Sequence, residues 1–134
     1  SSVGAAIEYA LGPLDVRHLV VCGHTGCGGV KAALDGIDAL PADMPELREW
    51  LTGVAESVAP VKALGLAEDA LLDRAVEESV LASLGHLIGF DVVARKLEAG
   101  TLQLHGWVYD MHGVALRTYA PDKDMFVDVE SMLR

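Results

Sequence analysis

Apolar positions spaced by three and four open the chain: Val3, Ile7, Ala10 and Leu11 fall on one side of a helical projection over residues 2–11. Ser1 or Ser2 supplies an N-cap, and Gly12-Pro13 stops the helix. The period then changes. Residues 16–22 contain the unbroken apolar run Leu19-Val20-Val21-Cys22, which predicts a central parallel strand covered on both faces. On that reading Cys22 is a small buried hydrophobe, although period-2 spacing puts it on the same strand face as His24. A helix follows over residues 27–35, closed by Gly36, and residues 37–45 form a loop. Leu47, Trp50, Leu51, Val54 and Val58 mark an amphipathic helix, bent or broken near Pro60, with Trp50 as a packing residue.

The longest helical pattern covers residues 68–88, with acids in its first turn and Leu72, Val76, Val80, Leu84 and Leu87 along one side. Glu77 and Glu78 are adjacent and so point apart, which reads as surface charge and not as a catalytic carboxylate pair. His86 reads as a surface residue or a favourable cation at the helix C-terminus. A short helix over residues 90–99 ends at Gly100. Residues 101–109 alternate, with Leu102, Leu104, Gly106 and Val108 on one face and Gln103, His105, Trp107 and Tyr109 on the other, which predicts a strand. Residues 114–119 and 125–129, joined by Pro121-Asp122-Lys123-Asp124, read as a terminal hairpin. Strands separated by helical segments predict an α/β fold: a mainly parallel sheet flanked by helices on both faces, with the hairpin at one edge. At 134 residues the chain is one domain.

Composition narrows the partners. A formal net charge of −10, with no basic cluster to offset it, excludes a nucleic-acid backbone as the expected partner. No apolar run approaches the roughly 18 residues that a bilayer span needs, so no membrane partner is expected. A hydrophobic content of 51% and a mean hydropathy of +0.33 leave more apolar surface than so small a core absorbs, which points to a homodimer or higher homo-oligomer. Two cysteines do not make a secreted disulfide framework, and a reduced, cytoplasmic setting is expected. Ser1-Ser2-Val3-Gly4 is neither an initiator Met nor a signal peptide, so the chain is expected to begin inside a longer protein, with any targeting sequence outside it.

The chemistry concentrates in Val20-Val21-Cys22-Gly23-His24-Thr25-Gly26-Cys27-Gly28-Gly29-Val30-Lys31. An apolar strand gives way to a glycine-rich turn carrying one imidazole and one thiol, and then to a helix. His24 and Cys27, two residues apart, can reach one ion from one turn, and zinc takes imidazole nitrogen and thiolate sulfur together at roughly 2.0–2.3 Å. Cys27 opens the following helix, where free backbone N–H groups and the helix dipole favour a thiolate. Two ligands do not complete a zinc site, and small residues around them describe an open site at a sheet edge. A phosphate loop fails on spacing, because Gly29 is followed by Val30 and not by Lys-Ser/Thr. A dinucleotide fingerprint fails as well, since Lys31 occupies the third glycine position. His105 and His112 are candidate metal ligands by residue type alone, without a spacing argument.

The same stretch resembles the second metal-binding motif of the β-class carbonic anhydrases, in which an apolar strand runs into Cys-Gly-His-x-x-Cys-Gly-Gly and a helix. The resemblance covers most of the chain. Residues 2–11, with Glu8-Tyr9-Ala10, look like the family's Ser-x-x-Glu-Tyr-Ala helix. Residues 76–87 are similar to its Glu-Asn-Val helix, with Ser79 in place of the usual Asn and Ser83 in place of the usual Gln. Leu104-His105-Gly106-Trp107-Val108-Tyr109-Asp110 resembles its late Gly-Trp-x-Tyr-Asp strand.

By that resemblance His24 and Cys27 are the second and third ligands of one Zn2+ per chain, and Gly28 and Gly29 border the substrate. The implied reaction is reversible hydration of carbon dioxide to bicarbonate, by attack of zinc-bound hydroxide and proton transfer to solvent. The family's first ligand lies upstream in a Cys-x-Asp-x-Arg segment that these residues do not contain, so no catalytic Asp or Arg is assigned within the chain. The chain is therefore expected to be the C-terminal portion of such an enzyme, an incomplete single domain truncated at its N-terminus and poorly active alone. Two alternatives share the fold: a hydrolase of carbon disulfide or carbonyl sulfide, and a non-catalytic subunit that keeps only the fold and the dimer surface.

Overall fold

A computed structural model describes residues 1–132. Helix α1, Ser2–Leu11, starts where the Gly4 N–H donates to the Ser1 hydroxyl at 3.1 Å, and it buries Ile7 and Leu11. Strand β1, His18–His24, leads into α2, Gly28–Asp35, and a single 3-10 turn, Ile37–Ala39. Three helices follow: α3, Pro45–Lys62; α4, Glu68–Ile88; and α5, Asp91–Glu98. The chain ends in β2, Gln103–Asp110, then β3, Ala115–Ala120, β4, Met125–Asp128, and a last turn of helix, α6, Val129–Met132. Helix α3 runs through Pro60 without the expected break, because the ring falls in the last turn and forfeits only the bond to the Glu56 carbonyl.

The four strands lie in the order β1-β2-β3-β4. The α/β class is as expected, but the sheet is mixed. β1 and β2 are parallel, with His18 opposite Gln103 and His24 opposite Tyr109, whereas β2–β3 and β3–β4 are antiparallel. Connection length decides this. The β1–β2 crossover carries α2 to α5, while residues 111–114 and 121–124 are turns too short for anything but antiparallel neighbours.

The helices also differ from expectation by packing on one face. Leu19, Val21 and Gly23 of β1 share that face with Leu104, Gly106 and Val108 of β2. One core cluster there joins Val30, Leu34, Val58, Val61, Ala75, Val76 and Val80 to Val108 and Phe126. A second joins Ile7, Leu11 and Val93 to Leu102, with Leu19 and Leu104 against it. Burial of Leu11, Leu51, Val58, Val93 and Val108 is essentially complete, at about 1.5–3 kcal/mol for each such side chain.

Among the described residues nothing covers the opposite face, and β1 is an edge strand. Val20 and Cys22 are consequently exposed, not buried, which corrects the reading of Leu19-Val20-Val21-Cys22 as a strand sealed on both faces. On that open face His18 and His105 meet ring to ring, Nδ1 to Nε2, at 3.0 Å.

Close contact between α4 and the sheet depends on two glycines. A methyl group at Gly23 would stand 2.8 Å from Val80 Cγ2, and one at Gly106 would stand 3.0 Å from Val80 Cγ1 and 2.9 Å from Leu84 Cδ1. Val80 thus straddles β1 and β2, and it does so one residue before His24. Glu77, one turn earlier, is not the free surface charge expected of it. It is half-buried and reaches Arg117 of β3 at 3.6 Å; burial pushes its carboxyl pKa up, against the pull of Arg117.

Candidate metal centre

Strand β1 ends at His24, and the turn that follows is fixed from outside. The Thr25 N–H donates to the Tyr109 carbonyl at 2.9 Å, and the Thr25 hydroxyl accepts the Met111 N–H at 3.0 Å. That hydroxyl also lies 3.5 Å from Asp110 Oδ1, a long donation. Gly26, at φ +65°, then bends the backbone through the left-handed region and delivers Cys27 to the start of α2. Cys27 is the N-cap residue, and its carbonyl accepts from the Lys31 N–H at 3.0 Å.

His24 is oriented by the same turn. Its Nδ1 lies 3.0 Å from the Thr25 carbonyl, and a carbonyl only accepts, so the ring proton sits on Nδ1. In the neutral ring the lone pair is then on Nε2, free for an electrophile, the arrangement by which metal-binding imidazoles are held in one tautomer. His24 and Cys27 line one cavity of about 240 Å³, walled by Cys22, Gly23, Val30, Trp50, Val54, Val76, Ser79 and Val80. A free imidazole nitrogen and a thiol at a helix N-terminus are a donor set that zinc accepts, so the residues present fit part of its shell. Among the described residues no three His, Cys, Asp or Glu side chains converge as a metal cage.

The other sequence candidates stand elsewhere. His105 pairs with His18 on the open sheet face, and the His112 N–H donates to Asp110 at 2.9 Å in the β2–β3 turn. Cys22 borders the cavity through the exposed edge of β1, and its Sγ lies 3.5 Å from the Gly23 carbonyl. Gly28 has open space around it, whereas a methyl at Gly29 would collide with the Trp50 indole at 2.9 Å. Three contributors escaped the sequence reading: Trp50 as a cavity wall, and Thr25 with Asp110 as the tie on the turn. No spacing links Thr25 to a residue 85 positions away, so only the fold reveals that pair.

Asp110 is held below the usual carboxylate range, first by the His112 and Gly113 backbone N–H groups and lastly by the Thr25 hydroxyl. A depressed folded-state pKa contributes stability above the unfolded value and loses it as pH falls through the folded one. Asp110→Asn is therefore expected to melt below wild type at pH 7. The gap should close as pH drops past about 3.9, in thermal melts followed by circular dichroism.

Comparison with known proteins gives the family. The carbonic anhydrase family model matches residues 1–116. The β-carbonic anhydrase CcaA superposes with a TM-score of 0.87 at 30% identity, covering 96% of this chain and 63% of that one. The chain belongs to the β-class carbonic anhydrases. A carbonic anhydrase of Pseudomonas aeruginosa is 42% identical over 112 residues, and one of Synechococcus elongatus is 36% identical over 110. Each alignment takes in 81% of this β-class carbonic anhydrase chain, which spans 49% and 40% of those two relatives' lengths. No helix among the described residues is long and apolar enough to cross a membrane.

Proposed function

We propose that His24 and Cys27 are two of the protein ligands of a zinc site at which carbon dioxide is reversibly hydrated to bicarbonate. One observation carries this: the Thr25 carbonyl fixes the His24 proton on Nδ1, leaving Nε2 free beside Cys27 in one largely apolar cavity. Bound zinc would supply the Lewis acidity that makes hydroxide available near neutral pH. The chain's own residues do the rest. Val30, Val54, Val76 and Val80 form a wall against which a neutral, apolar molecule sits without losing hydrogen bonds, and bicarbonate, charged and hydrated, is released from it. Cys27, bound as a thiolate, would lower the net charge of the metal, and water activation would then lean on groups around the shell.

The resemblance calls for a third protein ligand with an Asp–Arg pair beside it, from a Cys-x-Asp-x-Arg segment that these residues do not contain. The 134 residues alone then hold zinc weakly and turn over poorly. The open face and edge of β1, together with exposed Val3, Leu14, Val20 and Ile88, support assembly into a homodimer or larger homo-oligomer. Carbonyl sulfide and carbon disulfide are linear and apolar like carbon dioxide and would suit the same walls. A non-catalytic subunit is favoured by one observation, the lack of a third converging donor among the described residues.

A stopped-flow hydration assay with zinc quantified per chain separates these readings. Zinc-dependent turnover by the protein carrying the upstream segment, and little by the 134 residues, is the expected result. Full zinc loading without turnover on any of the three substrates overturns it.

A further inference from the structure

We propose that Trp50 sets the size limit on what reaches Cys27 and His24, standing as a partition between two cavities. The inference rests on the metal-site reading above and adds the residue that selects small linear molecules. Trp50 lies on α3 and is 58% exposed, so burial does not explain where its ring sits. The indole leans onto the first turn of α2. A methyl group built on Gly29 would find Trp50 Cζ3 at 2.9 Å, Cη2 at 3.0 Å and Cys27 Sγ at 3.9 Å. The outer edge of the indole and the sulfur therefore border the same spot.

The ring borders the cavity of about 240 Å³ that His24 and Cys27 line. It also borders a cavity of about 180 Å³ lined by Gly53, Ser57, Ala82, Ser83 and His86. Trp50, Val54 and Ser79 line both, and of the three the indole is much the largest. Neither cavity is lined by Asp, Glu, Lys or Arg, so nothing in the walls attracts an ion through the partition. Removing the indole joins the two spaces and lets bulkier molecules approach Cys27. With the indole present, Cys27 is reached less readily by aromatic or branched molecules than by a linear triatomic.

Thiol chemistry tests this without metal or turnover. In a Cys22→Ser background, Cys27 is the remaining thiol, and its modification rate is measured with methyl methanethiosulfonate and with a bulky aromatic disulfide, 5,5′-dithiobis(2-nitrobenzoate). Trp50→Ala is expected to raise the bulky-to-small rate ratio about tenfold while the small reagent's rate stays within about twofold of its parent. Trp50→Phe is expected to fall between, and it carries the test if the alanine variant loses its cooperative melting transition. A ratio unchanged in both variants overturns the partition. So does a small-reagent rate that climbs towards that of the urea-denatured chain, since general opening would then account for the access. Failure here leaves carbon dioxide hydration standing; absence of turnover in the zinc-loaded protein removes hydration and leaves the access result intact.

Discussion

Cys27→Ser is expected to abolish tight zinc binding at the proposed site. The hydroxyl replaces the sulfur that sits at the N-cap of α2, in a cavity whose other strong donor is the Nε2 of His24. Serine does not ionise near neutral pH and is a poor partner for a metal that favours sulfur and nitrogen. Losing an outer-shell partner lowers metal affinity roughly 10- to 100-fold, and losing a direct ligand is expected to exceed about 100-fold. Competition against a chromogenic chelator measures the drop. Cobalt substitution of the 134 residues, whose cysteines are Cys22 and Cys27, adds a second readout, because the sulfur-to-cobalt charge-transfer band should vanish in Cys27→Ser and persist in Cys22→Ser. A Cys27→Ser protein that keeps both zinc and the band would refute the ligand assignment. His24→Ala is expected to match the loss of affinity while retaining the sulfur band at high cobalt.

The second large effect belongs to the packing that sets the turn in place. Gly106→Ala puts a methyl 3.0 Å from Val80 Cγ1 and 2.9 Å from Leu84 Cδ1, and α4 must shift to admit it. Overpacking of this kind costs about 1–3 kcal/mol. Val80→Ala removes two methyl groups and leaves a void between Gly23 and Gly106, and it destabilises for the opposite reason. The double variant is expected to be less destabilised than the sum of the two, by about 1 kcal/mol, because each change relieves the other. Urea denaturation of the four proteins gives the coupling directly. Strict additivity would show that the α4–sheet distance is not set by this contact. Because Val80 also presses on Gly23, beside His24, Gly106→Ala is further expected to weaken zinc more than Val80→Ala does.

Much of the site was legible before any coordinates. His24 and Cys27 are near neighbours in sequence, their spacing is a property of one turn, and the glycines around them mark that turn by type alone. The helices over residues 2–11 and 68–88 and the strand over 101–109 were legible for the same reason: their periodicity is local. The terminal hairpin needed only its Pro121-Asp122-Lys123-Asp124 turn. Local periodicity does not show the half-buried ion pair of Glu77 with Arg117, which is made across 40 residues of chain.

What the tertiary structure decided is of that second kind. An apolar run such as Leu19-Val20-Val21-Cys22 reports a preference for burial, but whether a neighbour covers each face depends on where the strand falls in the sheet, and β1 falls at an edge. Parallel or antiparallel pairing follows from which strands end up adjacent, and that depends on the whole crossover through α5. The Nδ1 proton of His24 needs the Thr25 carbonyl turned towards it, and the Thr25 turn is pinned by Tyr109 and Met111 from the far end of the chain. Sequence by itself determined which atoms can bind a metal. Contacts between residues distant in the chain, which no local periodicity encodes, determined how those atoms are aimed and how wide their cavity is.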